Sequence, residues 1–496
     1  MMERGQQPGL PGDTVGRRTE WNALVDFVGS PVEHATLGVV WGRRRIGKSY
    51  LLAELCAATG GLYYEAVRGS SSEALAELGI ALGAASGAPG PLLLPDWETA
   101  VTSLMRLGES APHVVVLDEY PYLREQAPEL DSVVQRVFGP RHPLHTGTRS
   151  RLILCGSAMS GMAELLAGTS PLRGRAGLDL RISPFDYREA ALLHRVTDLR
   201  MAVRLYSIIG GVAAYARDMV DDDLPTTERD FDRWVGRRVL SPASPLSREV
   251  ELLLSEDPTT AQARKVNLYH ATLAGIALGR HTPGRIADYV KLSGPRLDPI
   301  LRALVSAQFV ERLTDPIKAN RALYHPGDPI IRFHYAIIRP NHSRLGRHGA
   351  DQVALWRSLD NSFRSQVVGP TFEAMARHWT THYAQIPGVT DGATHVGATT
   401  VRVGGREVEI DIAVSLDDAT TPGERTVAAL GEAKSGEQIT GAHLSRLESA
   451  RTALGPRATD ARLLLVGTRF ERGLVAQAAR RSDIELVDLD RLYHGE

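Results

Sequence analysis

The sequence predicts a multidomain α/β protein organised around a parallel sheet. Three observations lead there. An apolar run, Ala35 to Trp41, leads straight into a glycine-bearing phosphate loop and then a helical pattern. His113 to Leu117 and Leu152 to Cys155 are further apolar runs of buried-strand type, set among helical segments, as in a sheet covered on both faces. The chain has 496 residues, which at roughly 150 residues per domain suggests about three domains. With 43% hydrophobic and 23% charged residues, wholesale disorder and fibrous repeats are excluded. No apolar run reaches the length of about 18 residues that a membrane span needs. Met1 to Arg18 is polar and lacks the apolar core of a secretory signal. The only cysteines, Cys56 and Cys155, allow one disulfide at most and exclude a cysteine metal cage; a reducing cytoplasm is the expected setting. Fifty-seven basic and 58 acidic residues leave a net charge of −1, so any nucleic-acid surface must be local.

The loop Gly42-Arg43-Arg44-Arg45-Ile46-Gly47-Lys48-Ser49 fits G-x-x-x-x-G-K-[ST] at every fixed position. Gly42 and Gly47 permit close backbone approach, and successive N–H groups turn inward toward a phosphate. The helix that begins at Lys48 adds its positive end. Lys48 is expected at the β- and γ-phosphates and Ser49 at Mg²⁺. A metal partner belongs at the end of a neighbouring strand, where Asp118 and Glu119 follow the apolar run. Asp118 would hold the ion through its water shell, and Glu119 would orient the attacking water. Ser157, after the third apolar run, is a candidate sensor of the γ-phosphate, although a serine there also suits an ordinary helix cap.

These motifs resemble those of the archaeal-type ATPase family, within the AAA+/STAND-like P-loop ATPases. The likeness extends to Val15-Gly16-Arg17-Arg18-Thr19-Glu20 before the loop, Asp118 to Leu123, Gly156 to Met162, and Ser170 to Arg175 followed by Pro184-Phe185. The resemblance implies ATP as the nucleotide. It also implies that Arg175 faces nucleotide, in cis or across a contact between copies of the chain, where it would steady charge on the transferring phosphoryl group. Gly210 to Tyr215 is similar to the family's GG.P.Y turn, with alanine where proline is usual. From Tyr187 to about Leu240 the pattern is mostly helical and reads as a lid. The expected organisation is a tail over 1–14, an ATPase domain over 15–245, a winged helix over 246–340, a linker over 341–350 and a last domain over 351–496.

Leu268 to Ala277, Pro283 to Val290 and Pro295 to Ala307 form three helical patterns, and residues 309–313 and 321–325 read as a hairpin. Three helices and a two-stranded wing make a winged helix. Residues 241–350 hold 15 Lys/Arg against 9 Asp/Glu. Lys291, Arg296 and Arg302 are the candidate DNA-backbone contacts, with internal packing of the module as the alternative.

In the last region Glu373 lies on an amphipathic helix, Asp411 in the strand-like Glu407 to Val414, and Glu432 and Lys434 in the E-x-K of residues 432–434. Strands are expected at 399–414, 426–433, 462–467 and 484–488. A helix glutamate, a strand aspartate and E-x-K resemble the PD-(D/E)XK nuclease fold, and the ATPase family carries such a domain. The resemblance makes Glu373, Asp411 and Glu432 Mg²⁺ ligands and Lys434 the group that positions the nucleophile. The whole reading is an ATPase coupled to a Mg²⁺-dependent DNA nuclease. A nucleotide switch with a non-catalytic last domain is the alternative, and a winged-helix regulator a third reading.

Overall fold

The computed structural model describes residues 8–12, 14–157, 159–166, 168, 170–256, 266–347, 351–392, 394–417 and 425–496. The chain divides into two compact units. The first is Met1–Phe185 with Val212–Ala214, and the second is Asp186–Gly211 with Tyr215–Glu496. The helical stretch after Phe185 thus belongs by contact to the second unit.

The first unit is a five-stranded sheet of β1 (Thr36–Trp41), β2 (Leu62–Glu65), β3 (His113–Asp118), β4 (Ser150–Gly156) and β5 (Ala176–Arg181). The order is β2-β3-β4-β1-β5, and every pairing is parallel. β3 and β4 read as unbroken Val/Leu/Ile runs because helices cover both faces of the sheet. Leu37, Val39, Val115, Leu117, Leu152 and Leu154 pack with Leu78, Trp97 and Leu104 from helices Ser71–Ser86 and Trp97–Arg106. Both helices start on side-chain caps: Ser70 accepts from Glu73 N, and Asp96 from Thr99 N at 2.7 Å. β4 lies between β1 and β3. That placement brings the loop after β1, the acids at the end of β3 and the serine after β4 to the C-terminal ends of the strands. Cys56 and Cys155 are buried free thiols, so the single conceivable disulfide is not formed.

In the second unit, helix Tyr187–Leu193 opens on Asp186, whose Oδ1 accepts from Arg188 N and Glu189 N. Tyr187 is buried and donates its hydroxyl to Leu492 O at 2.7 Å, fastening this helix to the last helix, Leu489–His494. Helices Val266–Ala277, Pro283–Val290 and Gly294–Ser306 follow the expected pattern. The hairpin of β6 (Val310–Thr314) and β7 (Ala322–Pro326) completes the module. The expected linker 341–350 is partly helical: His342–Leu345 is a helical turn with Leu345 buried, while 348–350 lie outside the described residues.

The second sheet runs β12-β11-β10-β9-β8. Its strands are β8 (Thr394–Val403), β9 (Arg406–Asp417), β10 (Arg425–Lys434), β11 (Arg462–Gly467) and β12 (Ile484–Val487). β8, β9 and β10 pair antiparallel; β11 pairs parallel to β10 and β12. The single strand expected over 399–414 is two strands. Gly404 and Gly405 both take positive φ, 55° and 81°, the requirement of a two-residue hairpin turn whose twist matches its strands.

Candidate functional site

At the edge of the first sheet, Gly42 leaves β1 against β5. A Cβ on Gly42 would stand 2.3 Å from Ile182 O, so only glycine fits. Gly47 has φ 91° and caps helix Lys48–Thr59, turning its free N–H groups toward the loop. Lys48 is buried and donates Nζ to Arg43 O at 3.0 Å, inside the curl of the loop. Arg43 is buried with it, and Ile46 packs under the loop. Arg17, in the motif before the loop, donates to Ile46 O at 3.0 Å, pairs with Glu20 at 2.7 Å and lies over the Phe185 ring. Ala214 N donates to Arg45 O at 3.3 Å, which places the turn after Gly211 beside the loop.

Asp118 is fully buried at the end of β3. Its Oδ1 accepts from Glu119 N at 2.8 Å and its Oδ2 from the Tyr63 hydroxyl at 2.7 Å. Tyr63 also hydrogen-bonds with Ser49; burial, then the Asp118 charge, pushes its phenol pKa far up, so it stays a donor. Tyr63 thereby links Ser49 to Asp118, the two oxygen donors expected at Mg²⁺. Glu119 holds a left-handed backbone, φ 50°, uncommon for a residue with a side chain. Ser157 donates to Glu119, with Oε1 at 2.8 Å and Oε2 at 2.9 Å. Arg44 donates Nε to Ser157 Oγ at 3.1 Å and hydrogen-bonds the Tyr122 hydroxyl. Lys48, Ser49, Asp118, Glu119 and Ser157 all stand at or just after the C-terminal ends of β1, β3 and β4.

Arg175 is not with them. It precedes β5 at the start of the strand, beside Leu37, and donates to Phe138 O at 2.9 Å. The phosphate loop is at the other end of β1, roughly 17 Å away at strand rise. The expectation of a cis contact is corrected on that ground: a parallel sheet sends its two ends to opposite edges.

In the second sheet, β10 sets Glu432 next to Asp411 on β9, and both converge on Lys434. Its Nζ lies 2.9 Å from Asp411 Oδ2 and 2.7 Å from Glu432 Oε1. Arg446, on helix Gly441–Leu454, pairs with Glu432 as well. Asp411 Oδ2 also accepts from Ala433 N at 3.0 Å. Glu373 approaches from helix Gly369–His382; burial, then the Asp411 charge, pushes its carboxyl up to about 7. Among the described residues no three His, Cys, Asp or Glu side chains are grouped to hold a metal ion. This corrects the expected Glu373–Asp411–Glu432 cage: two cations, Lys434 and Arg446, balance the acids instead. The donor chemistry suits a hard cation at the Asp411–Glu432 pair and not at the triad.

Lys291, Arg296 and Arg302 are exposed. Lys291 caps helix Pro283–Val290 at φ 57°, ahead of the helix on which Arg296 and Arg302 lie, and Arg302 pairs with Asp298.

Against solved structures, the chain is similar to the Walker-type ATPase of Pyrococcus abyssi. The match has a TM-score of 0.50 at 21% identity, over 66% of this chain and 97% of that one. The chain has a P-loop ATPase fold. A further similarity is to the ORC2 protein of Aeropyrum pernix, with a TM-score of 0.42, 17% identity, and 69% and 98% coverage. An uncharacterised protein of Methanocaldococcus jannaschii is 28% identical over 316 residues, 62% of this chain. The match spans 65% of that relative's own length. No family model matches the chain. No helix among the described residues is long and apolar enough to cross a membrane.

Tyr63 and Arg446 were not legible as site residues. Tyr63 lies in a short alternating strand, LYYE, whose pattern marks burial and not the neighbour it meets. Arg17 carried a signal, the glycine-arginine motif before the loop.

Proposed function

We propose that the chain binds and hydrolyses ATP and that its nucleotide state governs a Mg²⁺-dependent DNA nuclease centre on the second sheet. The observation that carries the ATPase reading is the Ser157–Glu119 contact beside the phosphate loop. It would hold the Glu119 carboxylate ready to orient water beside the loop that carries Lys48. Lys48 would leave the Arg43 carbonyl for phosphate oxygens, and the loop N–H groups would hold the remaining charge. Glu119 would then align water for in-line attack. Mg²⁺, held by Ser49 and Asp118, would neutralise phosphate charge. Arg175 could act only on the nucleotide of another copy, which makes a homo-oligomer part of this reading.

At the second sheet Asp411 and Glu432 would hold Mg²⁺, which supplies an acidified water and screens the phosphodiester. Lys434 would orient the nucleophile, and Glu373 would sit beside the pair. The three-helix module with its hairpin would act as a winged helix, with Lys291, Arg296 and Arg302 as DNA-backbone contacts. A second reading is favoured by the balance of the acids: Lys434 and Arg446 neutralise Glu432, as in a domain that binds without cutting. Purified protein with plasmid DNA, Mg²⁺ and ATP separates the two. Cleavage that disappears in Asp411→Ala and Lys434→Ala, with ATP turnover intact, supports the nuclease. Absence of cleavage in the wild type, or its survival in Asp411→Ala, overturns it.

A further inference from the structure

The second unit holds a cavity of about 540 Å³ between the three-helix module, the hairpin, β8, β9 and helix Gly369–His382. Five arginines line it, Arg280, Arg285, Arg321, Arg332 and Arg377, against three acids, Asp315, Glu373 and Glu409. Asp315 is already engaged. It is fully buried, accepts from Thr399 at 2.8 and 3.0 Å, and lies 3.6 Å from Arg321.

Arg332 and Arg377 are the unusual members. They are 7% and 9% exposed. Each donates to a main-chain carbonyl, Arg332 to Ala277 O at 3.0 Å and Arg377 to Asp411 O at 2.9 Å. Neither forms an ion pair among the described residues. Burial lowers the Arg332 guanidinium to about 10, which leaves it a cation at neutral pH. Glu373 acts on both charges, but burial pushes its own carboxyl up to about 7, so it is only partly ionised at neutral pH and leaves positive charge in excess. Both arginines also border a second cavity of about 380 Å³, as does His325. His325 Nε2 is buried without a hydrogen-bond partner. Two buried guanidiniums in excess over the acid beside them, and a ring nitrogen without a partner, describe an anion seat. Arg377 donates to the Asp411 main-chain carbonyl and Glu373 lines the cavity, while Asp411 and Glu432 do not line it.

We propose that this cavity seats the phosphate backbone of a single-stranded nucleic-acid segment, with Arg332 and Arg377 as its phosphate contacts. A sphere of 540 Å³ is about 10 Å across, narrower than the major groove of a duplex alone, so an unpaired strand fits and a duplex does not. Delivery of the strand to Asp411 and Glu432 rests on the nuclease reading; the phosphate seat does not.

The test uses the full chain with Ca²⁺ in place of Mg²⁺ and a labelled single-stranded 12-mer, read by anisotropy over a salt series. Arg332→Gln and Arg377→Gln should each weaken binding at least tenfold and reduce the log–log salt slope by about 0.7, with ATP turnover unchanged. Should either variant unfold, exposed Arg280→Gln with Arg285→Gln gives the same readout without touching the interior. Unchanged affinity and slope in the folded variants overturns the proposal. So does equal competition by inorganic phosphate or a mononucleotide, which would make the seat one for small phosphate compounds. Asp411→Ala separates the two ideas. If it cuts DNA like the wild type the nuclease reading fails, while arginine-dependent strand binding upholds the seat.

Discussion

The Ser157 hydroxyl lies within hydrogen-bond reach of both oxygens of Glu119 and fixes that carboxylate. Ser157→Ala should therefore slow hydrolysis and spare binding. A hydrogen bond to a charged group contributes roughly 1.5–3 kcal/mol, so kcat should fall about 10- to 100-fold with KM for ATP little changed. Glu119→Gln tests the role of the carboxylate itself. The amide keeps the shape but cannot accept a proton, and turnover should drop by roughly 10²–10⁴ while ATP is still bound. Near wild-type rates in either variant would remove Glu119 from the water-activating role. Lys48→Ala should lose both hydrolysis and tight nucleotide binding, read by turnover and by titration with a fluorescent nucleotide.

At the level of elements, the turns are where single side chains decide geometry. A methyl on Gly42 meets the Ile182 carbonyl, a backbone atom that cannot swing away. Gly42→Ala should destabilise the first unit by about 1–3 kcal/mol and weaken nucleotide binding, measured by thermal melting with and without ATP. At the β8–β9 turn a Cβ on Gly405 meets open space, so strain alone is at stake. Gly405→Ala should cost about 1–2 kcal/mol through its positive φ and leave nucleotide binding untouched. A neutral result at Gly405 would contradict the tight hairpin. Alternation runs on through 399–414 on both sides of the glycine pair, so periodicity alone does not mark this turn.

Across the whole molecule, two compact units with separate cores should not melt as one. The phosphate loop belongs to the first unit, so a non-hydrolysable ATP analogue should raise only one of two calorimetric transitions, by RT ln(1 + [L]/Kd). Trp356 marks the other transition. It is fully buried against Phe231 and Phe363, with Nε1 donating to Asp232 at 2.9 Å. Trp356→Ala should cost about 3–5 kcal/mol and lower the transition that nucleotide does not move. A single transition in all conditions would show that the units unfold together.

The phosphate loop, its strand and helix, the acids after β3 and the serine after β4 were all legible in the sequence. Their chemistry depends on fixed local spacing, and spacing is what a sequence records. The three helices with their hairpin, and most strands of the second sheet, were legible for the related reason that periodicity follows from local geometry. Tertiary structure alone decided which groups meet. Tyr63 reaches Asp118 across 55 residues, and Arg44 reaches Ser157 across 113. Arg175 stands at the start of β5, away from the loop of its own chain, because sheet order and strand direction set position and no motif encodes them. The same holds for the carboxylates of the second sheet. Their types were plain in the sequence, but only the folded chain puts the Lys434 ammonium between two of them and leaves Arg332 and Arg377 buried beside a cavity. Pairing of charges is a property of three-dimensional neighbours, and the pattern along the chain does not contain it.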